Sequence, residues 1–321
     1  MQPRIQEDVP YGHAGRDLLA DVYRPDPGND LGLAVVHVHG GAWRRGSRKM
    51  LRHMSERMSR LGYTVVAPEY RFLEEAPWPA SLHDVKAAIR WTRSHAKEFG
   101  IDPERIVLQG HSSGGQLSLM CAGTQNDPEW EGSSGTPGVS TSVAAVVAVY
   151  PVCQFYLEDR DQPRMTYPLP AVDGSMPAYL LLDGEYDTEA VRRVSPLAYA
   201  GPEYPPTMFW LGGDDAYTPA EGSFAMYRTL RDAGVTVDLH IIGEVPHGFD
   251  MTEAYGGELQ IAADQFIRRM LREREERQTA VRTTIPEDMW RRTRSSVAGH
   301  LAGEGTLLFD AAGLPALTAN P

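Results

Sequence analysis

The sequence predicts an α/β fold in which a mostly parallel central sheet carries helices on both faces. Two observations support this prediction. Short aliphatic runs, typical of strands buried on both faces, alternate with segments of helical periodicity from residue 33 to about residue 276. The chain also has 321 residues and no internal repeat of domain size, which suits one large α/β domain or two small ones.

Seven segments are predicted to be strands. The first alternates loosely and ends at a Pro-Asp-Pro-Gly turn, which indicates an antiparallel strand. The later runs are mostly continuous and rich in valine, leucine and isoleucine, as in the buried strands of parallel sheets. In chain order the seven segments are residues 17–24, 33–38, 64–67, 106–108, 143–150, 208–211 and 235–242.

Apolar residues at helical spacing predict the helices between these strands. One begins at an S-x-x-D signal formed by Ser81 and Asp84, and it ends near Gly100. Another begins at Thr218-Pro219, where threonine is an expected N-cap and proline suits the first helical position. The remaining predicted helices cover residues 47–61, the segment after residue 114, and a closing helix that ends near residue 277.

Composition excludes several classes of protein. Hydrophobic residues make up 42% and charged residues 23% of the chain, which is ordinary for a globular protein. The net charge of −12 argues against nucleic acid as a general partner. No stretch approaches the roughly 18 apolar residues of a membrane helix, and the first residues lack the apolar core of a signal peptide. Two cysteines give no disulfide framework, so we expect a cytoplasmic protein.

Residues 110–114, Gly-His-Ser-Ser-Gly, match G-x-S-x-G between a predicted strand and a predicted helix. This is the context of a nucleophile elbow, in which a tight turn forces the central serine out into a crevice. Glycines are needed because a Cβ would collide with the neighbouring strand and helix. Ser112 is therefore the candidate nucleophile. His111 lies inside the elbow and is expected to point away from Ser112.

A serine hydroxyl needs an imidazole to accept its proton and a carboxylate to orient that imidazole. His247 is the candidate base, because it lies in a short loop after the last predicted strand. For the acid, Asp215 and Asp214 both follow the strand before it, and Asp187 follows an earlier apolar run. Topology disfavours Asp187, because a whole extra strand would separate it from the strand before His247. Only one of the adjacent Asp214 and Asp215 can face His247, and we rank Asp215 first, Asp214 second and Asp187 third.

Acyl transfer also needs donors for the oxyanion of a tetrahedral intermediate. Gly40 and Gly41 follow the strand at residues 33–38 and can present backbone N–H groups to a substrate oxygen. The N–H of Ser113, next to the candidate nucleophile, is the expected further donor.

Four residues flank these motifs and are candidates for a substrate pocket: His39, Trp43, His111 and Tyr217. Simple packing is the alternative for Trp43 and Tyr217. The histidines do not cluster, no H-E-x-x-H or C-x-x-C occurs, and the glycine-rich loop lacks the lysine of a phosphate-binding loop. The sequence therefore predicts no metal and no cofactor.

The domain boundaries follow from the element pattern. Residues 1–277 are predicted to form the catalytic domain, with a cap or insertion at residues 151–206 that is rich in proline. Residues 278–321 form a C-terminal extension with a helix-start pattern at residues 284–288 and an apolar run at residues 306–309. Such apolar side chains are costly to leave in water, so we expect the extension to dock on its own domain or to act as the arm of a homodimer.

With these motifs in place, the chain resembles the α/β-hydrolase superfamily, and within it the HGG-type carboxylesterases. That group includes hormone-sensitive-lipase-like and feruloyl-esterase-like enzymes and the kynurenine formamidases. The matching stretches are HGGAW at 39, APEYRF at 67, APWPASLHDVKAAIRW at 76, GHSSGG at 110, GGDDAYTP at 212 and PHGF at 246.

The resemblance implies a serine hydrolase that cleaves carboxylic esters of small molecules through an acyl-enzyme. It implies Ser112 as nucleophile, Asp215 as acid and His247 as base, with Gly40, Gly41 and Ser113 as the oxyanion hole. GHSSGG departs from the GDSAGG of the hormone-sensitive-lipase branch, and the acid motif begins Leu-Gly where many members have His-Gly.

Three other functions remain open on the same motifs. An amide hydrolase of the formamidase kind would use the same groups, and paired rates on an ester and its amide would distinguish it. A lyase or cyclase of small-molecule biosynthesis would keep the fold and use the pocket for non-hydrolytic chemistry. A binding module is disfavoured, because it has no need of all three groups.

Overall fold

In a computed structural model of the chain, the described residues are 3–155, 157–158, 163–164, 181, 188–218, 220–271, 308–309 and 315–316. The chain divides into two compact units, residues 1–268 and residues 269–321. About half of the expected cap at residues 151–206, and most of the expected extension at residues 278–321, lies outside the described residues.

The first unit is built on one eight-stranded sheet with strand order β1-β2-β4-β3-β5-β6-β9-β10. The first two strands pair antiparallel and β2 pairs antiparallel with β4, whereas all later neighbours are parallel. The predicted α/β class with a mostly parallel sheet is confirmed. The strands are β1 (Arg4–His13), β2 (Asp17–Arg24), β3 (Ala34–Val38), β4 (Thr64–Pro68), β5 (Ile106–His111), β6 (Ala145–Val149), β9 (Thr207–Gly212) and β10 (Val237–Ile242).

Seven helices accompany the sheet in the described part of the chain. They are α1 (Arg52–Arg60), α2 (Ala80–Ser94), α3 (Ala96–Phe99), α4 (Ser113–Gly123), α5 (Thr188–Arg193), α6 (Ala220–Asp232) and α7 (Glu253–Leu271). Two short antiparallel ladders complete the elements, β7 (Leu157–Glu158) with β8 (Pro163–Arg164), and β11 (Leu308–Phe309) with β12 (Pro315–Ala316). None of the helices in these described segments combines the length and apolarity needed to cross a membrane.

Helices cover both faces of the sheet. Successive residues of a strand point to opposite faces, so each face carries side chains that a helix can contact. Leu108 of β5 belongs to the core cluster that contains the buried side chains of α2, α4 and α6. Its neighbour Gln109 points the other way, and its amide donates to Gln260 Oε1 of α7 at 3.4 Å. On that second side α7 also bonds through Asp264 Oδ1 to the hydroxyl of Tyr63 at 2.8 Å.

The N-terminal strand β1 was not predicted, because its sequence is mostly polar and does not alternate. Besides its antiparallel ladder with β2, side-chain contacts hold β1 in place. The hydroxyl of Tyr11 donates to the carbonyl of Glu69. Arg48 pairs with Asp8 of β1, with Asp21 of β2 at 2.8 Å and with Glu69 at 2.6 Å. Long-range ion pairs of this kind leave no periodic pattern in the sequence.

Two predicted helix starts differ from the structure. Residues 48–51 form a 3-10 turn, and α1 begins only at Arg52. Helix α2 begins at Ala80 with Pro79 at the cap, so the expected capping role of Ser81 and Asp84 is wrong. The carboxylate of Asp84 instead accepts the backbone N–H of Arg71 at 2.9 Å and its guanidinium at 2.8 Å.

The parallel strands bring the sequence motifs to one edge of the sheet. Strand β3 ends directly before His39, β5 ends at His111, β9 ends three residues before Asp215, and β10 ends five residues before His247. Because parallel strands share a direction, the loops at their carboxyl ends meet in space. The candidate residues from four separate segments therefore converge.

Candidate active site

The turn after β5 holds Ser112 in a positive-φ conformation, and the glycines around it let the backbone pack closely. Ser112 has φ 55° and ψ −119°, and its N–H donates to the carbonyl of Val149 at 2.9 Å. A Cβ on Gly110 would lie 2.2 Å from the carbonyl oxygen of Gly114, and one on Gly114 would lie 2.3 Å from that of His39. The strand and helix therefore approach as the elbow hypothesis requires, with Ser112 directly before the first residue of α4.

Three side chains form one continuous hydrogen-bonded chain. His247 Nε2 lies 3.0 Å from Ser112 Oγ, and His247 Nδ1 lies 2.7 Å from Asp215 Oδ2. A carboxylate can only accept, so Nδ1 carries the proton and Nε2 is left free to accept one from the serine. Asp214 is exposed to solvent, and Asp187 lies outside the described residues. Among the described acids, Asp215 is the one that contacts His247.

The Asp215 carboxylate is held in place on both oxygens. Oδ1 accepts the backbone N–H groups of Tyr217 at 2.8 Å and Thr218 at 2.9 Å, and Oδ2 accepts the Thr218 hydroxyl at 2.8 Å. Burial acts to raise the pKa of Asp215, but the bonds from His247 and Thr218 outweigh it and hold the pKa below its usual value. The carboxylate is therefore ionised and cannot rotate freely.

Thr218 belongs to the site, although its place in the sequence indicated only a helix N-cap. Its hydroxyl lies 3.2 Å from His247 Nδ1 as well as 2.8 Å from Asp215 Oδ2. The hydroxyl thus fills the space beside the His247–Asp215 contact. The signal that could have identified it is a hydroxyl residue three positions after the acid, because such side chains bond back within a turn.

The loop after β3 brings two glycines against the serine. A Cβ on Gly40 would lie 3.0 Å from the Cβ of Ser112, so the backbone of Gly40 passes directly beside it. Gly41 has φ +129°, and a Cβ there would lie 1.8 Å from the carbonyl oxygen of Arg45. Among the described residues, the N–H groups of Gly40 and Gly41 have no acceptor. Together with the Ser113 N–H at the start of α4, they are available to an oxyanion.

His39 stabilises this loop from inside the protein. Its Nδ1 donates to the carbonyl of Gly40 at 2.7 Å, its ring stacks on Tyr70 at 4.4 Å, and the Tyr70 hydroxyl donates to its carbonyl at 3.0 Å. Burial lowers the pKa of His39 to about 4, so the ring is neutral. The side chain is fully buried, and the expectation that it lines a substrate pocket does not agree with this position.

Two other pocket candidates are also internal. The indole N–H of Trp43 donates to Gln116 Oε1 at 3.0 Å, and its ring lies 5.7 Å from that of Phe155. His111 is 2% exposed and points into the sheet, where its ring nitrogens contact His37 and Asp250. Trp43 and His111 therefore support the loops and do not line a surface.

Tyr217 is the exception among the four pocket candidates. It is 48% exposed, and its ring centroid lies 5.5 Å from that of His247. It is therefore the candidate that a bound molecule can reach. No group of three or more histidine, cysteine, aspartate or glutamate side chains suited to a metal ion occurs among the described residues.

Comparison with known proteins agrees with this architecture. The model of the BD-FAE family matches residues 20–230, which include Ser112 and Asp215 and end before His247. Esterase LipQ of Mycobacterium tuberculosis is 31% identical over 249 residues, which are 76% of this chain and 57% of LipQ. The chain thus spans less than two thirds of the length of that relative.

Solved structures show the same fold. A truncated form of a carbohydrate esterase from gut microbiota superposes with a TM-score of 0.69 at 24% identity, covering 82% of this chain and 96% of that one. The propionate-bound thermophilic esterase Est2 of Thermogutta terrifontis gives a TM-score of 0.66 at 25% identity, covering 83% of this chain and 93% of that one. The resemblance seen in the sequence motifs is confirmed, and the chain belongs to the BD-FAE family, with the α/β-hydrolase fold.

Proposed function

We propose that the protein is a serine hydrolase that cleaves carboxylic esters of small molecules through an acyl-enzyme. One observation carries the proposal: Ser112 Oγ, His247 and Asp215 are joined by contacts of 3.0 and 2.7 Å beside two glycine N–H groups without an acceptor in the described residues. The name of the related esterase LipQ supports ester cleavage over the other reactions possible on this fold.

In the first half-reaction, His247 Nε2 takes the proton from Ser112 Oγ as the oxygen attacks the ester carbonyl carbon. The carbonyl oxygen becomes an oxyanion, which accepts the N–H groups of Gly40, Gly41 and Ser113. His247 then returns the proton to the departing alcohol as the carbon–oxygen bond breaks. An acyl group remains on Ser112.

In the second half-reaction, a water molecule replaces the alcohol. His247 takes a proton from the water as it attacks the acyl carbon, and it returns that proton to Ser112 Oγ as the acid leaves. The ionised Asp215 stabilises the imidazolium that forms in both halves and keeps Nδ1 protonated. No metal or organic cofactor enters either half of the proposed reaction.

A panel of p-nitrophenyl esters tests both the reaction and the acyl preference. We expect esters from acetate to butyrate to be hydrolysed faster than esters of long-chain acids, because the exposed ring of Tyr217 lies 5.5 Å from that of His247 and narrows the space for an acyl chain. The propionate bound to the Est2 neighbour is consistent with this preference. The measurement is kcat/KM against chain length, with Ser112→Ala as the blank. Faster turnover of long chains, with activation at a lipid interface, would contradict the expectation.

An amide hydrolase is the second candidate, because the same groups would serve it. The Ser112 adduct and the oxyanion donors would be identical, and only the leaving group would differ. Rates on one acyl group presented as an ester and as an anilide separate the two. A ratio in favour of the anilide would replace the ester proposal by the amide one.

We also propose that residues 278–321 dock, on their own domain or on a second copy of the chain in a homodimer, and that the protein works in the cytoplasm. The two cysteines, Cys121 and Cys153, are buried free thiols, which suits a reducing compartment. Removing the residues after Arg277 is expected to lower the number of chains per particle in solution or the melting temperature, because apolar side chains lose their contacts. If both quantities are unchanged, the segment docks nowhere.

A further inference from the structure

A second chain of polar side chains lies buried behind Ser112, and the proposed reaction does not use it. We call it the buried network, and it consists of Ser55, His37, His111, Asp250 and Tyr150. His37 Nδ1 lies 2.9 Å from Ser55 Oγ, and His37 Nε2 lies 3.0 Å from His111 Nε2. His111 Nδ1 lies 2.8 Å from Asp250 Oδ2. The Tyr150 hydroxyl donates to Asp250 Oδ1.

The surroundings of Tyr150 and His37 determine how each of them is protonated. Tyr150 is a donor, since burial first and then Asp250 keep the pKa of its hydroxyl well above the usual value. Burial first and then His111 hold the pKa of His37 well below its usual value, so that ring is neutral. Two ring nitrogens 3.0 Å apart share one proton, so His37 and His111 bond to each other as donor and acceptor.

Asp250 is the charged member of the network. Its side chain is completely buried. Burial acts to raise its pKa, but the adjacent imidazole of His111 and the bond from the Tyr150 hydroxyl outweigh burial and keep the pKa below its usual value. An ionised carboxylate in the interior costs free energy unless it has polar partners. Asp250 has these partners in His111 and Tyr150.

The network connects both halves of the candidate active site. His111 directly precedes Ser112 at the end of β5, and Asp250 follows His247 by three residues in the 3-10 turn Phe249–Met251. The ring of Tyr150 is close to both segments: its centroid lies 6.1 Å from that of His111 and 4.4 Å from that of His247. Tyr150 also has φ +34°, a strained value that its bonds to Asp250 and to the carbonyl of Trp210 at 2.8 Å maintain.

The charges around His247 are few. Asp215 contacts its Nδ1 directly, Ser112 its Nε2, and Thr218 lies beside Nδ1. The rings of Tyr217 and Tyr150 face it from the acid loop and from the end of β6. Asp250 contacts the hydroxyl of Tyr150 and the ring of His111, and His111 in turn contacts His37. Among these groups of the described chain, Asp215 and Asp250 are the two carboxylates.

We propose that Asp250 is a positioning residue of the reaction: its buried carboxylate ties the nucleophile elbow to the loop of His247 through His111 and Tyr150. This inference rests on the proposed function, because it assigns His247 the role of base. Without this tie, Ser112 Oγ and His247 Nε2 would no longer be held at 3.0 Å, and the reaction of a bound molecule at Ser112 would slow.

Saturation kinetics of Ser112 modification by a fluorophosphonate measure this effect without knowledge of the natural substrate. The limiting rate constant kinact reports the reaction of the bound reagent, and the half-saturation concentration KI reports its binding. Asp250→Asn keeps the shape of the side chain and removes the charge that holds His111 and Tyr150. We expect its kinact to fall about tenfold while its KI stays close to that of the wild type.

Asp214→Asn is the matched control, because it removes an exposed carboxylate adjacent to Asp215. Asp214 is exposed and holds neither the elbow nor the loop of His247, so kinact should stay within a few-fold of the wild-type value. An unchanged kinact in a folded Asp250→Asn protein, or an equal fall in Asp214→Asn, would overturn the inference. Melting temperature shows that each variant is folded.

Tyr150→Phe keeps the test decisive if Asp250→Asn does not fold. The variant removes the hydroxyl that ties Tyr150 to Asp250, so kinact should fall in the same direction, with KI close to the wild-type value. An unchanged kinact in a folded Tyr150→Phe protein would contradict the positioning role. Failure of the wild-type protein to react with the fluorophosphonate at Ser112 would instead reject the proposed function, which separates the two claims.

Discussion

Replacing Ser112 with alanine is expected to reduce kcat on p-nitrophenyl acetate by a factor on the order of 10⁵ to 10⁶. The variant loses the oxygen that forms the acyl-enzyme, and His247 has no proton to take. Because Ser112 Oγ makes its contact with His247 Nε2 at 3.0 Å and no helix or strand depends on the hydroxyl, the fold should be unchanged. Steady-state kinetics together with the melting temperature measure both effects.

Ser113→Ala is a matched control for this substitution. It removes the adjacent hydroxyl, whereas the proposed role of Ser113 lies in its backbone N–H, which alanine retains. We expect it to remain within about tenfold of the wild-type rate, since no step uses its hydroxyl. An active Ser112→Ala protein would show that another group is the nucleophile.

The second large effect is expected at the acid. Asp215→Asn should lower kcat by about 10⁴-fold, because an amide at this position favours the wrong tautomer of His247. Nδ1 would then accept from the amide and Nε2 would carry the proton, so the ring could no longer take one from Ser112. The change in KM should be small, because Asp215 contacts His247 and the backbone of the acid loop.

Asp214→Asn separates this effect from a general loss of charge. Asp214 is exposed, and its N–H donates to the carbonyl of Val245 at 3.1 Å, a bond that the substitution retains. We expect kcat to stay within a few-fold of wild type, as is usual for a surface substitution. If the two effects came out reversed, the assignment of the acid within the Asp214-Asp215 pair would be wrong.

The sequence predicted the parallel strands and the elbow because both leave local patterns. Buried strands appear as aliphatic runs such as residues 145–149, and the elbow needs glycines at fixed positions around Ser112. The order of serine, acid and histidine along the chain then followed from the topology of parallel strands. The geometry of Ser112, Asp215 and His247 agrees with that order.

Other features have no local pattern. Strand β1 pairs along β2 but is held by ion pairs such as Arg48–Asp8, which join residues 40 positions apart. Whether His39 and His111 face a pocket or the interior depends on the residues that pack around them. Those residues, such as Tyr70 beside His39, are far away in the sequence. Asp250 is recognisable only once His111 and Tyr150, 139 and 100 positions earlier, are seen beside it.

Mapping the covalent adduct of a fluorophosphonate tests the central claim most directly. The reagent phosphonylates a serine whose proton is removed by a neighbouring base, and the adduct does not hydrolyse readily. Digestion and mass spectrometry of the full-length protein are expected to place one adduct on the peptide that contains Gly110 to Gly114, at Ser112. Labelling at any other residue, or no labelling of a folded protein, would contradict the account.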